Sequence, residues 1–123
     1  MISEKILTSK NIQEYSGERL IYERLGINPK QLITFCQKWQ IAEFSLFGSV
    51  LTDDFSETSD IDVLVSYLPG AKRGLLEKIT LKEELEILFN RPVDLLSKNA
   101  IENSLNWLRK KHIIDSAKVI YAA

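Results

Sequence analysis

The sequence predicts a small α/β domain in which helices pack on a mixed sheet. Helical and extended patterns alternate along the 123 residues, and 45% of these residues are hydrophobic, which is enough to build one compact core. Two apolar runs flank a polar segment between residues 44 and 65, as two strands joined by a short excursion would. We expect an N-terminal helical extension over residues 1–27 and one domain over residues 28–123.

Composition argues against several classes of partner. The formal net charge is −1, so no basic field indicates binding to nucleic acid or to a membrane surface. The single Cys36 has no partner for an internal disulfide, which fits a reducing cytoplasm. No apolar run approaches the roughly 18 residues of a membrane span, and the N-terminus lacks the apolar core of a signal peptide. We therefore expect a cytoplasmic protein with no direct nucleic-acid binding and no membrane contact.

Two helices are predicted before the first strand. The segment 12–25 is rich in helix-forming residues and ends at Gly26, and we expect it to pack on the domain or on a partner chain. Asn28 and Pro29 then form a favourable helix start, with Asn as the cap and Pro in the first turn. An apolar stripe follows, and Cys36 on it is assigned to the core because no His or acid accompanies it; the stripe comprises Leu32, Phe35, Cys36 and Trp39.

The next segment contains two strands and a glycine bend. Strand one is predicted near residues 41–47, and Gly48 lets the backbone approach a ligand closely. Ser49 then opens a possible helix whose first N–H groups can bind phosphate. After ten residues come Asp60 and Asp62, which share one face of strand two because side chains alternate along a strand. The bend could bind the phosphates and the two acids could bind a divalent cation. A metal-bound nucleotide needs both of these sites next to each other.

Each of these features also has an ordinary interpretation. A Gly-Ser pair is often only a turn, and an Asp-x-Asp pattern is common on surfaces. Carboxylates on a central strand are costly, however, unless they bind a cation or a hydrogen-bond donor. A third acid, Asp94, follows Pro92 in another short predicted strand. If that strand lies beside residues 61–65, three carboxylates converge, and two Mg²⁺ ions about 3.5–4 Å apart could be held there.

The remaining elements alternate in the same way. A turn signal at Pro69–Gly70 ends strand two, and a helix over about 74–89 precedes the strand of Asp94. Asn99 is predicted to cap one further helix, with Arg109 to Lys111 at its end and Trp107 at the rim of the core. The predicted inner stripe of that helix comprises Ile101, Leu105, Leu108 and His112. Residues 118–121 form a last strand or a helix end.

The spacing of these motifs resembles the DNA polymerase β-type nucleotidyltransferase superfamily. Within it, the chain is most similar to the minimal nucleotidyltransferases (MNT) that are antitoxins of HEPN–MNT toxin–antitoxin pairs. The similarity runs from about Leu32 to the C-terminus, in the phrases SLFGSVL, SDIDVLV, NRPVDLLS and VIYAA. The resemblance implies three sets of roles. Gly48 and Ser49 would contact the nucleotide phosphates, Asp60 and Asp62 would bind metal, and Asp94 would bind metal and assist deprotonation of the acceptor.

The resemblance also implies an activity. The chain would move AMP from ATP, with two Mg²⁺ ions, to a tyrosine of a cognate HEPN-domain ribonuclease toxin, and the short chain favours a protein acceptor. Two alternatives stay open: an antitoxin or binding module that neutralises its partner by contact, and a stand-alone small-molecule nucleotidyltransferase. Homo- and hetero-oligomers are both compatible with the sequence.

One departure from the family pattern concerns charge. Many relatives carry an Arg shortly after the Gly-Ser pair, whereas residues 50–59 contain no Lys or Arg. The positive charge would then have to come from Lys72, Arg73, Lys78 or Arg91.

Overall fold

The structure is a computed structural model that describes residues 9–123, with side chains described from residue 17 onward. The first eight residues of the predicted extension therefore lie outside the described residues. The helices are α1 (Ser9–Leu25), α2 (Pro29–Lys38), α3 (Leu75–Phe89), α4 (Lys98–Glu102) and α5 (Trp107–Ser116). The strands are β1 (Ile41–Phe47), β2 (Ile61–Tyr67), β3 (Val93–Ser97) and β4 (Lys118–Ala122), and a single 3₁₀ turn (Gly48–Leu51) follows β1. No helix in this part of the chain is long and apolar enough to cross a membrane.

The four strands form one mixed sheet, which confirms the predicted fold class. Their order is β3-β2-β1-β4, with β1 antiparallel to both of its neighbours and β2 parallel to β3. Parallel neighbours need a crossover, and α3 supplies it. The parallel register pairs Ile61 with Val93 and Asp62 with Asp94.

The two faces of the sheet are covered unequally. The main core lies on the face to which Phe44, Ile61 and Val63 point, where side chains of α1, α2 and α3 pack against them. The opposite face carries a smaller cluster that joins Leu64 of β2 to residues of α4 and α5; its buried members are Phe47, Leu64, Ile101 and Ile113. Asp62 lies on this second face, since side chains alternate along β2.

Helix α2 follows its sequence signals closely. The side-chain oxygen of Asn28 accepts from the Gln31 amide at 2.9 Å, and the Gln31 side chain accepts from the Asn28 amide at 2.9 Å, so both partners of a capping box are present. Cys36 is fully buried on the inner face of the helix. Burial raises the pKa of its thiol to about 12, so the thiol stays protonated and unreactive at neutral pH, as expected of a core residue.

The prediction of one helix beginning at Asn99 is wrong. Ser97 caps α4 through the Ala100 amide at 3.1 Å, and Asn106 caps a separate helix, α5, through the Arg109 amide at 3.1 Å. The polar residues 103–106 offer the backbone local hydrogen bonds that compete with a continuing helix.

The break between α4 and α5 changes which side chains are buried. Ile101 and Ile113 lie inside, whereas Leu105 is 100% exposed, Trp107 is 67% exposed, and Leu108 and His112 are also exposed. The predicted inner stripe is therefore confirmed at Ile101 and wrong at Leu105, Leu108 and His112, and the predicted rim position of Trp107 is wrong. The basic residues 109–111 lie in the first half of α5 and not at a helix end.

The N-terminal helix packs on the domain. Ile21 and Leu25 point into the main core, and Leu25 has no exposed surface. Ile27, directly after the helix, belongs to the same cluster. The last two turns of α1 are thus part of the hydrophobic core that supports the sheet.

The burial of Leu25 can be tested by truncation. We expect Leu25→Ala to lower the free energy of unfolding by about 2–5 kcal/mol, because it removes buried methyl groups and leaves a cavity. Leu20→Ala is the matched control on the same helix, since Leu20 is 45% exposed, and it should cost less than about 0.5 kcal/mol. Urea unfolding followed by circular dichroism measures both values, and equal values would contradict the packing of α1.

Candidate active site

Strands β2 and β3 bring three aspartates together at one edge of the second face, namely the edge at which both strands begin. Asp60 directly precedes β2, Asp62 lies within it, and Asp94 is the direct register partner of Asp62 on β3. Parallel neighbours lie roughly 4.8 Å apart and point paired side chains to the same face. The predicted juxtaposition of these two strands is therefore present. Asp60 and Asp94 are exposed, whereas Asp62 is half-buried between them.

The electrostatics of Asp62 reflect this crowding. Burial raises the pKa of Asp62 above its usual range, and the negative charges of Asp94 and Asp60 raise it further. A cation at this edge would relieve the repulsion among the three carboxylates.

The donor set fits a hard divalent cation. Among the described residues, no group of three His, Cys, Asp or Glu side chains is already arranged around a common point as a complete metal site. Mg²⁺ does not require such a cage, because it binds through one or two carboxylates and completes its shell with water and substrate phosphates. The carboxylates at this edge therefore suit Mg²⁺ that arrives with a nucleotide.

The glycine bend lies against the central acid. β1 ends at Phe47, which pairs with Asp62 across the sheet, and Gly48 follows with a φ of 75°. A Cβ atom built on Gly48 would collide with Oδ2 of Asp62. Only glycine allows both this backbone conformation and this close approach. Gly48 is exposed and Ser49 is partly exposed, so a ligand can reach the bend.

The segment after the bend is shorter than a regular helix. It forms one 3₁₀ turn, closed by the Thr52 amide, which donates to the Ser49 carbonyl at 2.9 Å. The possible helix at Ser49 is therefore limited to four residues. What the bend offers a ligand is close access to the backbone and the Ser49 hydroxyl, with little helix dipole.

Two arginines contact the loop between the bend and the acids. Arg91, one of the basic residues considered from the sequence, donates to the carbonyl oxygens of Ser56, Glu57 and Ser59 at 2.8, 3.3 and 3.0 Å. Arg24, which the sequence did not single out, donates from α1 to the carbonyls of Val50 and Thr52 at 2.9 and 2.6 Å. No local pattern signals the contact of Arg24, because it joins residues that are far apart in the chain.

The other basic residues considered from the sequence lie elsewhere. Arg73 and Lys78 line a separate cavity of about 300 Å³ together with Ser66 and Tyr67, at the opposite end of β2 from Asp60. Lys72 is exposed in the loop before α3.

Comparison with known proteins connects this geometry to a family. Residues 29–120 match the family model described as the nucleotidyltransferase domain. A protein of Methanocaldococcus jannaschii that is provisionally named a protein adenylyltransferase is 38% identical over 88 residues, which are 72% of this chain and 88% of that protein. The protein adenylyltransferase MntA of Thermococcus cleftensis is 32% identical over 71 residues, which are 56% of this chain and 68% of that protein.

Solved structures share the fold. A toxin–antitoxin complex with AMP-PNP contains a chain with a TM-score of 0.60 and 19% identity, covering 79% of this chain and 75% of that one. The complex of a tri-AMPylated Shewanella oneidensis HEPN toxin with its MNT antitoxin contains a chain with a TM-score of 0.53 and 18% identity, covering 80% of this chain and 73% of that one. At these identities the similarity establishes the fold alone.

The raised pKa of Asp62 predicts that ionisation of this carboxyl lowers the stability of the fold. A carboxyl whose pKa is higher in the folded chain than in the unfolded chain stabilises the fold fully only below about pH 3.9, and this contribution is lost as the pH rises through the raised pKa. Asp62→Asn removes that loss. We therefore expect this variant to raise Tm at pH 7, with the gain shrinking toward about pH 3.

The matched control is Asp53→Asn, which removes the same charge from an exposed position. It should leave Tm nearly unchanged at both pH values. A gain for Asp62→Asn that is as large at pH 3 as at pH 7 would contradict the electrostatic explanation.

Proposed function

The chain belongs to the nucleotidyltransferase domain family, and from this premise we propose that it transfers AMP from ATP to a hydroxyl group of a protein and so acts as an antitoxin. The observation that carries the proposal is the pairing of Asp62 with Asp94 across β2 and β3, directly beside the Gly48 bend. This places potential metal ligands next to a backbone segment that a triphosphate can approach.

Each residue of the site has a proposed role. The backbone at Gly48 and Ser49 would hold the phosphates, and Asp60 and Asp62 would hold Mg²⁺ through their carboxylate oxygens. When bound, Mg²⁺ would stabilise the negative charge on the phosphate oxygens as a Lewis acid. Asp94 is exposed beside Asp62. We assign it two roles: one of its carboxylate oxygens would bind the metal, and the carboxylate would help to remove the proton from the acceptor hydroxyl.

The transfer itself is a displacement at the α-phosphorus of ATP. The acceptor oxygen forms a bond to that phosphorus, the bond from the phosphorus to the oxygen that bridges the α- and β-phosphates breaks, and pyrophosphate leaves. The described residues contribute mainly by positioning the two reactants and by electrostatic stabilisation.

The openness of the site and the names of the relatives support a protein as the acceptor. Asp60, Asp94 and Gly48 are exposed at the end of the sheet where β1 stops and β2 and β3 begin, so a side chain of another protein can reach them. Two relatives are named protein adenylyltransferases, and one fold neighbour is an MNT antitoxin in complex with an AMPylated HEPN toxin. We propose a tyrosine hydroxyl of a HEPN ribonuclease toxin as the acceptor, with AMP attachment silencing the toxin.

A second candidate is neutralisation by contact alone. One observation favours it: residues 50–59 contain no basic residue, and Arg91 is hydrogen-bonded to backbone carbonyls of that loop. The affinity of the site for the triphosphate of ATP therefore distinguishes the two candidates.

Label transfer from ATP tests the enzymatic proposal. The wild-type protein, Mg²⁺ and ATP labelled at the α-phosphate are incubated with the HEPN-like protein encoded beside it. We expect Asp60→Asn and Asp62→Asn each to reduce labelling about 100-fold or more, which corresponds to about 2.7 kcal/mol of transition-state stabilisation. Asp53→Asn, which removes an exposed carboxylate outside the proposed site, should label the partner at the wild-type rate.

The same variants separate the two candidates in cells. If the double variant Asp60→Asn, Asp62→Asn still protects cells from the partner protein, neutralisation by contact is correct and the enzymatic proposal is not.

Nucleotide binding tests the role of the bend. Gly48→Ala forces a Cβ atom against the carboxylate of Asp62, so we expect the affinity for Mg·ATP to fall about tenfold, measured by calorimetry. Gly26→Ala is the matched control, because Gly26 also has a positive φ (71°) but nothing within 4 Å of the added Cβ. It should carry a similar backbone strain of about 1–2 kcal/mol and leave the affinity for Mg·ATP unchanged. Equal loss of affinity in both variants would remove the bend from the site.

A further inference from the structure

The loop between the glycine bend and the acids is held at both ends by arginines from other parts of the chain. Arg24 on α1 donates to carbonyl oxygens of Val50 and Thr52, directly after the bend. Arg91, just before β3, donates to carbonyl oxygens of Ser56, Glu57 and Ser59, and Ser59 directly precedes Asp60. The two contact sites lie at the two ends of the segment 50–59.

One aromatic ring connects the two arginines. The guanidinium carbon of Arg24 lies 5.1 Å from the centroid of the Phe55 ring, and that of Arg91 lies 4.3 Å from the same centroid. Both distances are within the range of cation–π attraction. Arg24, Phe55 and Arg91 therefore form one connected unit, which we call the arginine clamp.

These contacts restrict the conformations that the loop can adopt. Hydrogen bonds from a charged donor are roughly twice as strong as those between neutral groups. Apart from the 3₁₀ turn and local turns, the segment 50–59 has no regular structure of its own, and such loops are usually mobile. One Nη1 nitrogen of each arginine donates to its carbonyls, to two for Arg24 and to three for Arg91, and these contacts oppose the entropy that favours a mobile segment.

The placement of the clamp relates each arginine to a different part of the site. Arg24 fixes the chain that follows Gly48 and Ser49, where the phosphates are proposed to bind. Arg91 fixes the chain that leads into Asp60, and it lies three residues before Asp94 on the segment that enters β3. It thereby connects the two strands that carry the acids.

We infer that Arg24 and Arg91 are positioning residues of the nucleotidyltransferase site: Arg24 holds the phosphate-binding bend and Arg91 holds the metal-binding acids. The inference rests on the proposed function. In this assignment both arginines act on the loop through its backbone carbonyls and not by contacting the phosphates. The assignment also makes α1 part of the catalytic unit, although α1 lies outside the matched residues 29–120.

A split between two measured parameters tests the inference. We expect Arg24→Gln to raise the Kd for Mg·ATP about tenfold, with a smaller change in the Mg²⁺ concentration that gives half-maximal AMP transfer. Arg91→Gln should show the reverse, about a tenfold rise in that Mg²⁺ concentration with a smaller change in Kd. Arg19→Gln is the matched control, because Arg19 lies on the same helix and its charge contact is an exposed pair with Glu23 at 3.6 Å. It should change neither parameter.

A second variant covers the case in which an arginine variant does not fold. Phe55→Leu keeps both guanidiniums and removes the ring that connects them, so both parameters should shift by about threefold. A merely structural role of the clamp would lower Tm and leave both parameters at the values of Arg19→Gln, and this result would overturn the inference. An equal shift of both parameters in Arg24→Gln and Arg91→Gln would also overturn it.

Hydrogen exchange separates failure of the inference from failure of the proposed function. If the wild-type protein binds no Mg·ATP and transfers no label, the proposed function fails. Exchange of the amides of residues 50–59 still reports on the clamp in that case. Faster exchange in Arg24→Gln and Arg91→Gln than in Arg19→Gln supports the clamp, and unchanged exchange overturns it.

Discussion

The parallel pairing of β2 with β3 is the constraint on which the site depends. It sets Asp62 beside Asp94, two like charges that the fold has to hold together. Two hydrogen bonds act at its first residues: the Ile61 amide of β2 donates to the Pro92 carbonyl at 2.9 Å, and the Val93 amide of β3 donates to the side-chain carboxylate of Glu86 at 2.9 Å. The second contact comes from the crossover helix α3. The element that makes the parallel pairing possible thus also secures the start of β3.

The acids at this edge reduce stability locally, and the rest of the fold compensates. Burial and the neighbouring negative charges raise the pKa of Asp62, so its ionised form is less favourable here than in water. Gly48 adds a backbone conformation that other residues rarely adopt. The opposing contribution comes from the main core on the other face of the same strand, where Ile61, Val63 and Val65 have almost no exposed surface. Alternation along β2 therefore separates the side chains of the main core from Asp62, the acid of the candidate site.

Elements with short-range sequence signals could be predicted from the sequence, and elements that depend on tertiary packing could not. The strand of Asp62, the bend at Gly48 and the later strand of Asp94 each carry short-range signals, and the resemblance to a family relates them to one another. The helices after β3 were predicted less well, because the cap at Asn99 competes with those at Ser97 and Asn106. Which cap forms depends on how Ile101 and Ile113 reach the second face of the sheet, and a periodic pattern does not contain that information.

The contact of Arg24 with the loop could not be predicted from the sequence either, because it depends on where α1 packs on the domain. Leu25 is buried in the main core, and its neighbour Arg24 reaches the carbonyls of Val50 and Thr52. The helix that buries Leu25 in the core thus also carries the arginine that contacts the segment after the bend. The segment 1–27 was predicted as an extension of the domain because the resemblance begins near Leu32. In the structure the last turns of α1 contact both the hydrophobic core and the loop that leads to the acids. Residues of one helix therefore take part in the packing of the domain and in the polar contacts of that loop.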